Sequence, residues 1–277
     1  MIVGFVGKLY RGVVLGVVLA AVLLLSACGG GGSERSAGVI IAGSTSVQPY
    51  VEKLAENYSV LYPDKIVDVQ GGGSSAGIQA VETHTAELGM SSRNLRENEQ
   101  HLWSMEITKD GLAIIVHPSN PVGNLSMEQI RGIYTMGITN WSEVGGPNAR
   151  IHIITREEGS GTRGAFEEMV MDGLRITPRA IVQNSNGAVR QLVSGDPFSI
   201  GYISLGLVDI GERPVSAVSI DGVAPTTDNV RNGSYSLFRS FLFVALEEPT
   251  GNAMQFIDYI MSPEGRQILA NEGLVPD

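Results

Sequence analysis

The chain of 277 residues is poor in the residue types that build disulfide frameworks and metal centres. It contains one cysteine and four histidines. A single cysteine cannot form an internal disulfide, and these five residues show no zinc-like spacing. The composition therefore excludes a disulfide-stapled fold, and we expect neither a metal ion nor a cofactor.

Positive charge is also scarce. Lysine and arginine number 19 against 29 acidic residues, so the formal net charge is −10 at pH 7. Nucleic-acid binding asks for a basic patch, so we expect no nucleic-acid partner. The chain also lacks the G-x-x-x-x-G-K-[ST] loop, which argues against an ATPase. Apolar residues make up 43% of the chain, enough for a packed core, and the length suits two modest domains.

The first 27 residues differ from the rest of the chain. Lys8 and Arg11 precede an uncharged apolar run at 13–25, shorter than the roughly 20 residues that a membrane span needs. This order predicts a signal peptide over residues 1–27, with a single N-terminal transmembrane anchor as the alternative. Its removal would leave 17 basic and 29 acidic residues, a formal charge of −12.

The sole cysteine follows this segment directly. Leu25-Ser26-Ala27-Cys28 resembles the bacterial lipobox, in which the cysteine is lipidated and becomes the first mature residue. Diacylation supplies the two chains that stable anchoring takes. The glycine-rich start of residues 28–37 predicts a flexible tether. We therefore expect an extracytoplasmic protein that touches the bacterial cell membrane only through lipid at Cys28.

From residue 39 onward, short apolar runs alternate with segments of helical periodicity. Residues 39–42, 112–117, 151–155 and 200–203 are apolar runs typical of buried strands. Residues 47–61 carry apolar side chains at helical spacing after a Ser/Thr-rich turn. We also expect helices over residues 127–134, after Thr162 through Met171, and over residues 252–272 with a break at Pro263. This alternation predicts an α/β fold with mostly parallel sheets.

Three segments share the order strand, small turn, helix. The turns are Gly43-Ser44-Thr45-Ser46, Gly71-Gly72-Gly73-Ser74-Ser75 and Gly159-Ser160-Gly161-Thr162. Backbone N–H groups at a helix N-terminus and Ser/Thr hydroxyls can together bind an anion. Arg156, beside the third turn, could hold two oxygens of a tetrahedral anion with its planar guanidinium.

Each of these features has an ordinary alternative. Serine and threonine are common helix caps, and Arg156 could form a surface salt bridge with Glu157 or Glu158. The three turns and the arginine together nevertheless predict capture of a small oxyanion without chemistry.

A serine hydrolase is the remote alternative. Gly73-Ser74-Ser75-Ala76-Gly77 matches the G-x-S-x-G nucleophile elbow, with Ser75 as the nucleophile. No histidine occurs in the last 125 residues, where such a fold usually places its base. We therefore expect no catalytic residues and no enzyme.

Several motifs occur in the order found in one known family. They are Gly43-Ser44-Thr45-Ser46-Val47-Gln48-Pro49, Gly72-Gly73-Ser74-Ser75-Ala76-Gly77, Gly89-Met90-Ser91-Ser92-Arg93, Thr139-Asn140-Trp141, Arg156-Glu157-Glu158-Gly159-Ser160-Gly161-Thr162, Asn186-Gly187-Ala188-Val189, Ile200-Gly201-Tyr202-Ile203-Ser204 and Ser262-Pro263-Glu264-Gly265. From about residue 38 to its end, the chain resembles the PstS-type phosphate-binding lipoproteins of phosphate ABC transporters, which are type II periplasmic binding proteins.

The resemblance implies a two-lobed Venus flytrap fold in which each lobe is a mixed sheet flanked by helices. Lobe 1 would comprise residues 38–113 and 228–277, and lobe 2 residues 114–227. Inorganic phosphate would lie in the cleft, with the lobes closing over it by hinge motion. The protein would be a monomer that delivers phosphate to the permease subunits of an ABC transporter.

The resemblance also implies roles for single residues. The ligand donors would be Ser44, Thr45, Ser46 and Ser74 from the first lobe, and Arg156, Ser160, Gly161 and Thr162 from the second. Glu158 stands where the family often has an aspartate that orients the arginine.

Ser92, which we also expect among the ligand-binding residues, departs from the family pattern. Some members have an aspartate there that accepts the proton of hydrogen phosphate. A backbone carbonyl, a serine lone pair or Glu157 could take that role, and Arg93 could be a second positive clamp or a surface residue. A receptor for another oxyanion, such as sulfate, molybdate or tungstate, therefore stays open as the alternative.

Overall fold

The computed structural model describes residues 38–209 and 214–276. The predicted signal peptide, the tether and the lipidation site Cys28 lie outside the described residues. None of the helices within these two ranges is long and apolar enough to cross a bilayer.

Strands and helices alternate along the described chain. The strands are β1 (Val39–Gly43), β2 (Val67–Gly71), β3 (Leu88–Ser91), β4 (Trp103–Val116), β5 (Asn124–Leu125), β6 (His152–Arg156), β7 (Ile181–Gln183), β8 (Ser199–Ser204), β9 (Ser216–Ala217), β10 (Ser219–Ile220) and β11 (Phe238–Ala245). The α-helices are α1 (Gln48–Leu61), α2 (Ser74–Glu82), α3 (Met127–Tyr134), α4 (Gly161–Phe166), α5 (Asn186–Gly195), α6 (Thr227–Arg231), α7 (Gly251–Met261) and α8 (Pro263–Asn271).

Local sequence explains where several helices begin. At the start of α3, the Ser126 hydroxyl accepts from the Gln129 N–H and the Gln129 side chain accepts from the Ser126 N–H, which is a capping box. Ser262 caps α8 by accepting from the Gly265 N–H. Pro263 can open that helix because the first helical position needs no amide hydrogen. The predicted break at Pro263 is confirmed.

The sheet is mixed, which confirms the α/β class and corrects the expectation of mostly parallel strands. The strand order is β2-β1-β3-β11-β4-β8-β6-β7, and β9 pairs with β4. β1 is parallel to β2 and β3, and β6 is parallel to β7 and β8. β11 is antiparallel to β3 and β4, and β4 is antiparallel to β8.

The long strand β4 joins the two halves of the molecule. Its residues 103–111 pair with β11, and its residues 112–116 pair with β8. We call the half built on β1–β3 and β11 the first lobe, and the half built on β6–β8 the second lobe. The lobe boundaries drawn from the sequence stay a prediction.

Two large hydrophobic cores accompany the two lobes. One gathers buried residues of β1, α1 and α7, such as Ile41, Leu54 and Phe256. The other surrounds Trp141 and Phe166 in the second lobe. Full burial of one large apolar side chain contributes about 1.5–3 kcal/mol. The first core also includes Ile154 of β6 and Val189 of α5, so it extends from the first lobe into the second. This two-lobed arrangement confirms the predicted fold.

The structure differs from the sequence prediction at a few elements. β4 begins nine residues before the apolar run at 112–117 that marked it in the sequence. The single helix expected after Thr162 through Met171 is instead α4, which begins at Gly161, followed by a π-helical turn at Glu167–Met171. β7 and α6 were not predicted, because both are short and carry little hydrophobic periodicity.

Candidate functional site

The predicted polar turns all follow the carboxyl ends of strands and meet at one place in the fold. Those after β1 and β2 lead into α1 and α2, and the one after β6 leads into α4. The predicted ligand side chains that are buried, at no more than 2% exposure, are Ser44, Ser46, Ser74, Ser92, Arg156, Ser160 and Thr162. Thr45 is half-buried. Buried polar groups need hydrogen-bond partners, so such a concentration requires an explanation.

The hydroxyls of the first lobe contact one another. Ser44 Oγ donates to Ser92 Oγ at 2.8 Å, and the Ser92 N–H donates to Ser74 Oγ at 3.1 Å. The structure therefore places Ser92 among the predicted ligand residues. Among the described residues, no carboxylate forms a hydrogen bond with Ser92.

The two lobes also contact each other through predicted ligand residues. Ser46 Oγ lies 2.7 Å from Thr162 Oγ1, and Arg156 Nη2 donates to Thr45 Oγ1 at 3.3 Å. Gly161 permits this approach, since a β-carbon there would overlap Ser74 Oγ and lie 2.6 Å from Ser92 Oγ. Side chains far apart in sequence thus share one small space.

Ser160 has a different role in this geometry. Its hydroxyl accepts from the Arg163 N–H and caps α4. Of the two explanations offered by the sequence, ordinary capping describes the contact seen for the Ser160 side chain.

Arg156, at the end of β6, is 1% exposed and brings a guanidinium into the site. Its Nε and Nη2 donate to the two Glu157 carboxylate oxygens at 3.0 and 2.9 Å. Its Nη1 is buried and has no hydrogen-bond partner. Leaving a buried donor unsatisfied costs about 1–3 kcal/mol, and more when the donor is charged. An acceptor bound at this nitrogen would remove that penalty.

Glu157, rather than Glu158, holds the arginine. Glu158 is exposed. Burial acts to lower the pKa of Arg163, Glu167 outweighs it and raises this pKa, and Glu158 makes a smaller contribution in the same direction as Glu167. No hydrogen bond between Glu158 and Arg156 is found in the described residues. The role expected for Glu158 is therefore corrected. The turn after β6 brings the adjacent carboxylate back onto the guanidinium and directs the next one outward.

Arg93 is neither a surface residue nor an unpaired clamp. It is 4% exposed, and its Nη1 and Nη2 donate to Glu99 Oε2 and Oε1 at 2.7 and 2.8 Å. Burial acts to raise the pKa of Glu99, but hydrogen bonds from Arg93 and the Arg96 N–H outweigh it and lower this pKa below its usual value. The Arg93 charge is therefore already balanced.

Ser75 and the acidic and histidine residues of the described chain bear on the nucleophile and metal alternatives. Ser75 Oγ accepts a long hydrogen bond of 3.4 Å from Arg93 Nη2, and no histidine contact to it occurs in the described chain. A serine nucleophile needs an adjacent base. Across residues 38–209 and 214–276, no group of three or more His, Cys, Asp or Glu residues could hold a metal ion.

Two further residues reach the site that sequence reasoning did not select. Asn186, the first residue of α5, donates from Nδ2 to Ser46 Oγ at 2.8 Å. Arg239 on β11 donates from Nη2 to the same oxygen at 3.1 Å. It also pairs with Asp110, its cross-strand neighbour on β4. For Arg239 the available signal was a charged residue in the otherwise uncharged strand β11.

Burial strongly affects this second ion pair. Asp110 and Arg239 are 1% and 6% exposed. Desolvation raises the pKa of Asp110, with Arg239 and Ser204 acting against it, and lowers the pKa of Arg239, with Asp110 acting against it. A buried pair of this kind is favourable only when further hydrogen bonds satisfy it, as Ser204 Oγ does at 2.7 Å from Asp110 Oδ1.

Comparison with known proteins identifies similar chains. A family described as the PBP superfamily domain matches residues 30–264. The phosphate-binding protein PstS of Bacillus subtilis is 31% identical over 246 residues, which is 87% of this chain and 81% of that protein. PstS of Borreliella burgdorferi is 29% identical over 248 residues, covering 86% of this chain and 89% of that protein.

Solved structures show the same similarity in three dimensions. The crystal structure of a phosphate ABC transporter substrate-binding protein from Clostridium perfringens, with bound phosphate, matches with a TM-score of 0.83 and 43% identity. The match covers 87% of this chain and 99% of that one. An ABC-type phosphate transport receptor from Vibrio cholerae matches with a TM-score of 0.72 and 36% identity, over 86% of this chain and 100% of that one.

Proposed function

The chain belongs to the PstS family of phosphate-binding proteins within the PBP superfamily, and from this membership we propose that it captures inorganic phosphate between its two lobes. The observation that carries the proposal is the buried, unpartnered Nη1 of Arg156 beside hydroxyls from both lobes. A phosphate oxygen would accept from that nitrogen. The protein would then deliver its ligand to the permease subunits of an ABC transporter.

The donors around the arginine fit a tetrahedral anion. The hydroxyls of Ser44, Ser46, Ser74, Ser92 and Thr162 are buried, and that of Thr45 is half-buried. The Glu157 carboxylate accepts hydrogen bonds from Nε and Nη2 of Arg156, and Nη1 is left without a partner. Such local donors can attract an anion although the chain as a whole is acidic, because binding depends on the local field.

Binding without chemistry is part of this proposal. The family is one of transport receptors, and Ser75 contacts an arginine rather than a base. The ligand should therefore leave the cleft unchanged, and no catalytic residue is assigned.

Calorimetric titration of the purified protein with phosphate, alone and in competition with sulfate, molybdate or tungstate, tests the ligand. We expect saturable phosphate binding at one site per chain that sulfate does not displace at comparable concentration. Absence of phosphate binding, or equal competition by sulfate, molybdate or tungstate, would overturn the assignment to phosphate.

The cellular location forms a second part of the proposal. The PstS relatives support an extracytoplasmic protein, and the lipobox-like sequence at Cys28 supports an acyl anchor. We infer a monomer held at the outer face of the cell membrane by lipid. Size-exclusion chromatography with light scattering tests the monomer, which a concentration-independent dimer would contradict.

A further inference from the structure

Asn186 and Arg239 donate hydrogen bonds into the hydroxyl cluster of the cleft although neither was expected there. We propose that they are positioning residues that fix the direction of two hydroxyl protons, those of Thr45 and Thr162, toward the anion. The proposal rests on the proposed function, because it assumes that the anion occupies this cleft.

The first step concerns Ser46. A serine hydroxyl has one proton to donate and two lone pairs that accept. Asn186 Nδ2 and Arg239 Nη2 both donate to Ser46 Oγ, at 2.8 and 3.1 Å. Because these donors occupy both lone pairs, the Ser46 proton is left for the remaining neighbour, Thr162 Oγ1 at 2.7 Å. Thr162 then accepts from Ser46, and its own proton is available to the cleft.

The second step concerns the amide of Asn186, which is 1% exposed. Its Oδ1 accepts from the Ser204 N–H at 3.3 Å, so Nδ2 must face the hydroxyls. The two hydrogens on Nδ2 serve Ser46 and, at 3.4 Å, Thr45 Oγ1. Arg156 Nη2 donates to the same threonine oxygen at 3.3 Å. Thr45 thus faces two donors, and its proton is also available to the cleft.

The third step concerns Arg239, whose orientation is fixed by its neighbours. Asp110 Oδ2 accepts from its Nε at 3.2 Å and from its Nη2 at 3.0 Å. The Phe241 ring centre lies 5.3 Å from its guanidinium carbon. A guanidinium has donors and no acceptor, and it keeps its proton. The direction of the hydrogen bond to Ser46 therefore cannot reverse.

The charges around this network separate its effect from simple attraction. The Arg239 charge is balanced by Asp110 and that of Arg156 by Glu157. Asn186 is neutral, so its removal changes no charge near the anion. If removal of the Asn186 side chain weakens phosphate binding, the cause is therefore the changed direction of the hydroxyl protons.

A double-mutant cycle tests the relay, with phosphate affinity measured by calorimetry. We expect Asn186→Ala to weaken phosphate binding roughly tenfold in the wild-type background and again in Thr162→Ser, which keeps the hydroxyl. In the Thr162→Val background the same change should cost only about threefold, since the Thr45 branch alone remains. Asn120→Ala, at a buried asparagine that accepts from the Val122 N–H, is the matched control and should show no such coupling to Thr162.

The outcomes separate the two proposals. Equal fold losses in the wild-type and Thr162→Val backgrounds would overturn the positioning role while leaving phosphate binding intact. A wild-type protein that does not bind phosphate would overturn the proposed function and this inference together. Thermal unfolding checks that each variant folds. Arg239→Lys, which keeps the charge beside Asp110 and shortens the reach to Ser46, should show the same coupling and replaces Asn186→Ala if that variant does not fold.

Discussion

Replacing Arg156 with methionine should abolish most of the phosphate affinity while leaving the fold intact. Methionine nearly matches the arginine stem in length and removes the guanidinium. The variant loses the unpartnered Nη1 and the Nη2 bond to Thr45. It also leaves the Glu157 carboxylate, 29% exposed, without its partner near the bound anion.

The size of the effect follows from the contacts. A hydrogen bond to a charged group contributes about 1.5–3 kcal/mol, and removing one partner of a buried charge pair costs about 2–5 kcal/mol. These two contributions overlap, and the 29% exposure of Glu157 reduces the second. A net loss of about 3–5 kcal/mol corresponds to an affinity lower by a factor on the order of 10²–10⁴, since about 1.4 kcal/mol is tenfold. Glu157→Gln should change affinity less than about tenfold, because it loosens Arg156 but removes a negative charge from the site.

Calorimetric titration with phosphate measures both variants. Arg131→Met is a matched control, since Arg131 lies in the second lobe and donates to the Val170 carbonyl rather than into the cleft. It should bind phosphate like the wild type. Thermal unfolding of each variant shows whether a lost affinity reflects a lost fold.

The refuting result is specific. If Arg156→Met is folded and binds phosphate within tenfold of the wild type, the guanidinium does not hold the ligand. Equal losses for Arg156→Met and Glu157→Gln would instead mean that Glu157 contacts the ligand itself.

Three further predictions follow from other parts of the chain. Gly161→Ala should weaken phosphate binding at least tenfold in calorimetry with little change in the unfolding temperature, because a methyl group there keeps the lobes apart. Gly195→Ala, with open space around it, should change neither the phosphate affinity nor the unfolding temperature. Equal binding by both variants would refute the close contact. The lowered pKa of Glu99 means that its contribution to the free energy of unfolding is present above its unfolded pKa and is lost as pH falls through the folded one. Glu99→Gln should therefore make the unfolding temperature less dependent on acid pH, and an unchanged pH profile would contradict this. Cys28→Ser should move the protein from the membrane fraction to the soluble fraction of cells and prevent labelling by radioactive palmitate, whereas persistent labelling would place the acyl chain elsewhere.

Much of the fold could be predicted because local signals and tertiary structure agree. Helix α3 occupies the predicted residues 127–134, since a capping box begins it and apolar side chains follow at helical spacing. The first half of β4 could not be recognised, because the polar residues in 103–111 interrupt the apolar run of a buried strand. Its place is fixed by pairing with β11, which is more than a hundred residues distant in the chain.

The site divides in the same way between local and distant information. The turns that hold Ser44, Ser74 and Thr162 have a sequence signature, because small polar residues between strand and helix serve both capping and ligand binding. Which of two adjacent glutamates meets Arg156 depends on one backbone turn, and composition does not encode it.

Arg239 lies 129 residues from Asp110 and 193 from Ser46, so only the assembled sheet brings the three together. The direction of each hydroxyl proton then depends on which lone pairs of the oxygen already accept hydrogen bonds. The donors of those hydrogen bonds come from both lobes. Arginines in and around the cleft that already have carboxylate partners are Arg93, Arg156, Arg163 and Arg239. Attraction for phosphate must therefore come from donors that these pairs leave without a partner, such as Nη1 of Arg156 and Nη1 of Arg239, and from oriented dipoles. Such local donors explain how so acidic a chain can hold an anion.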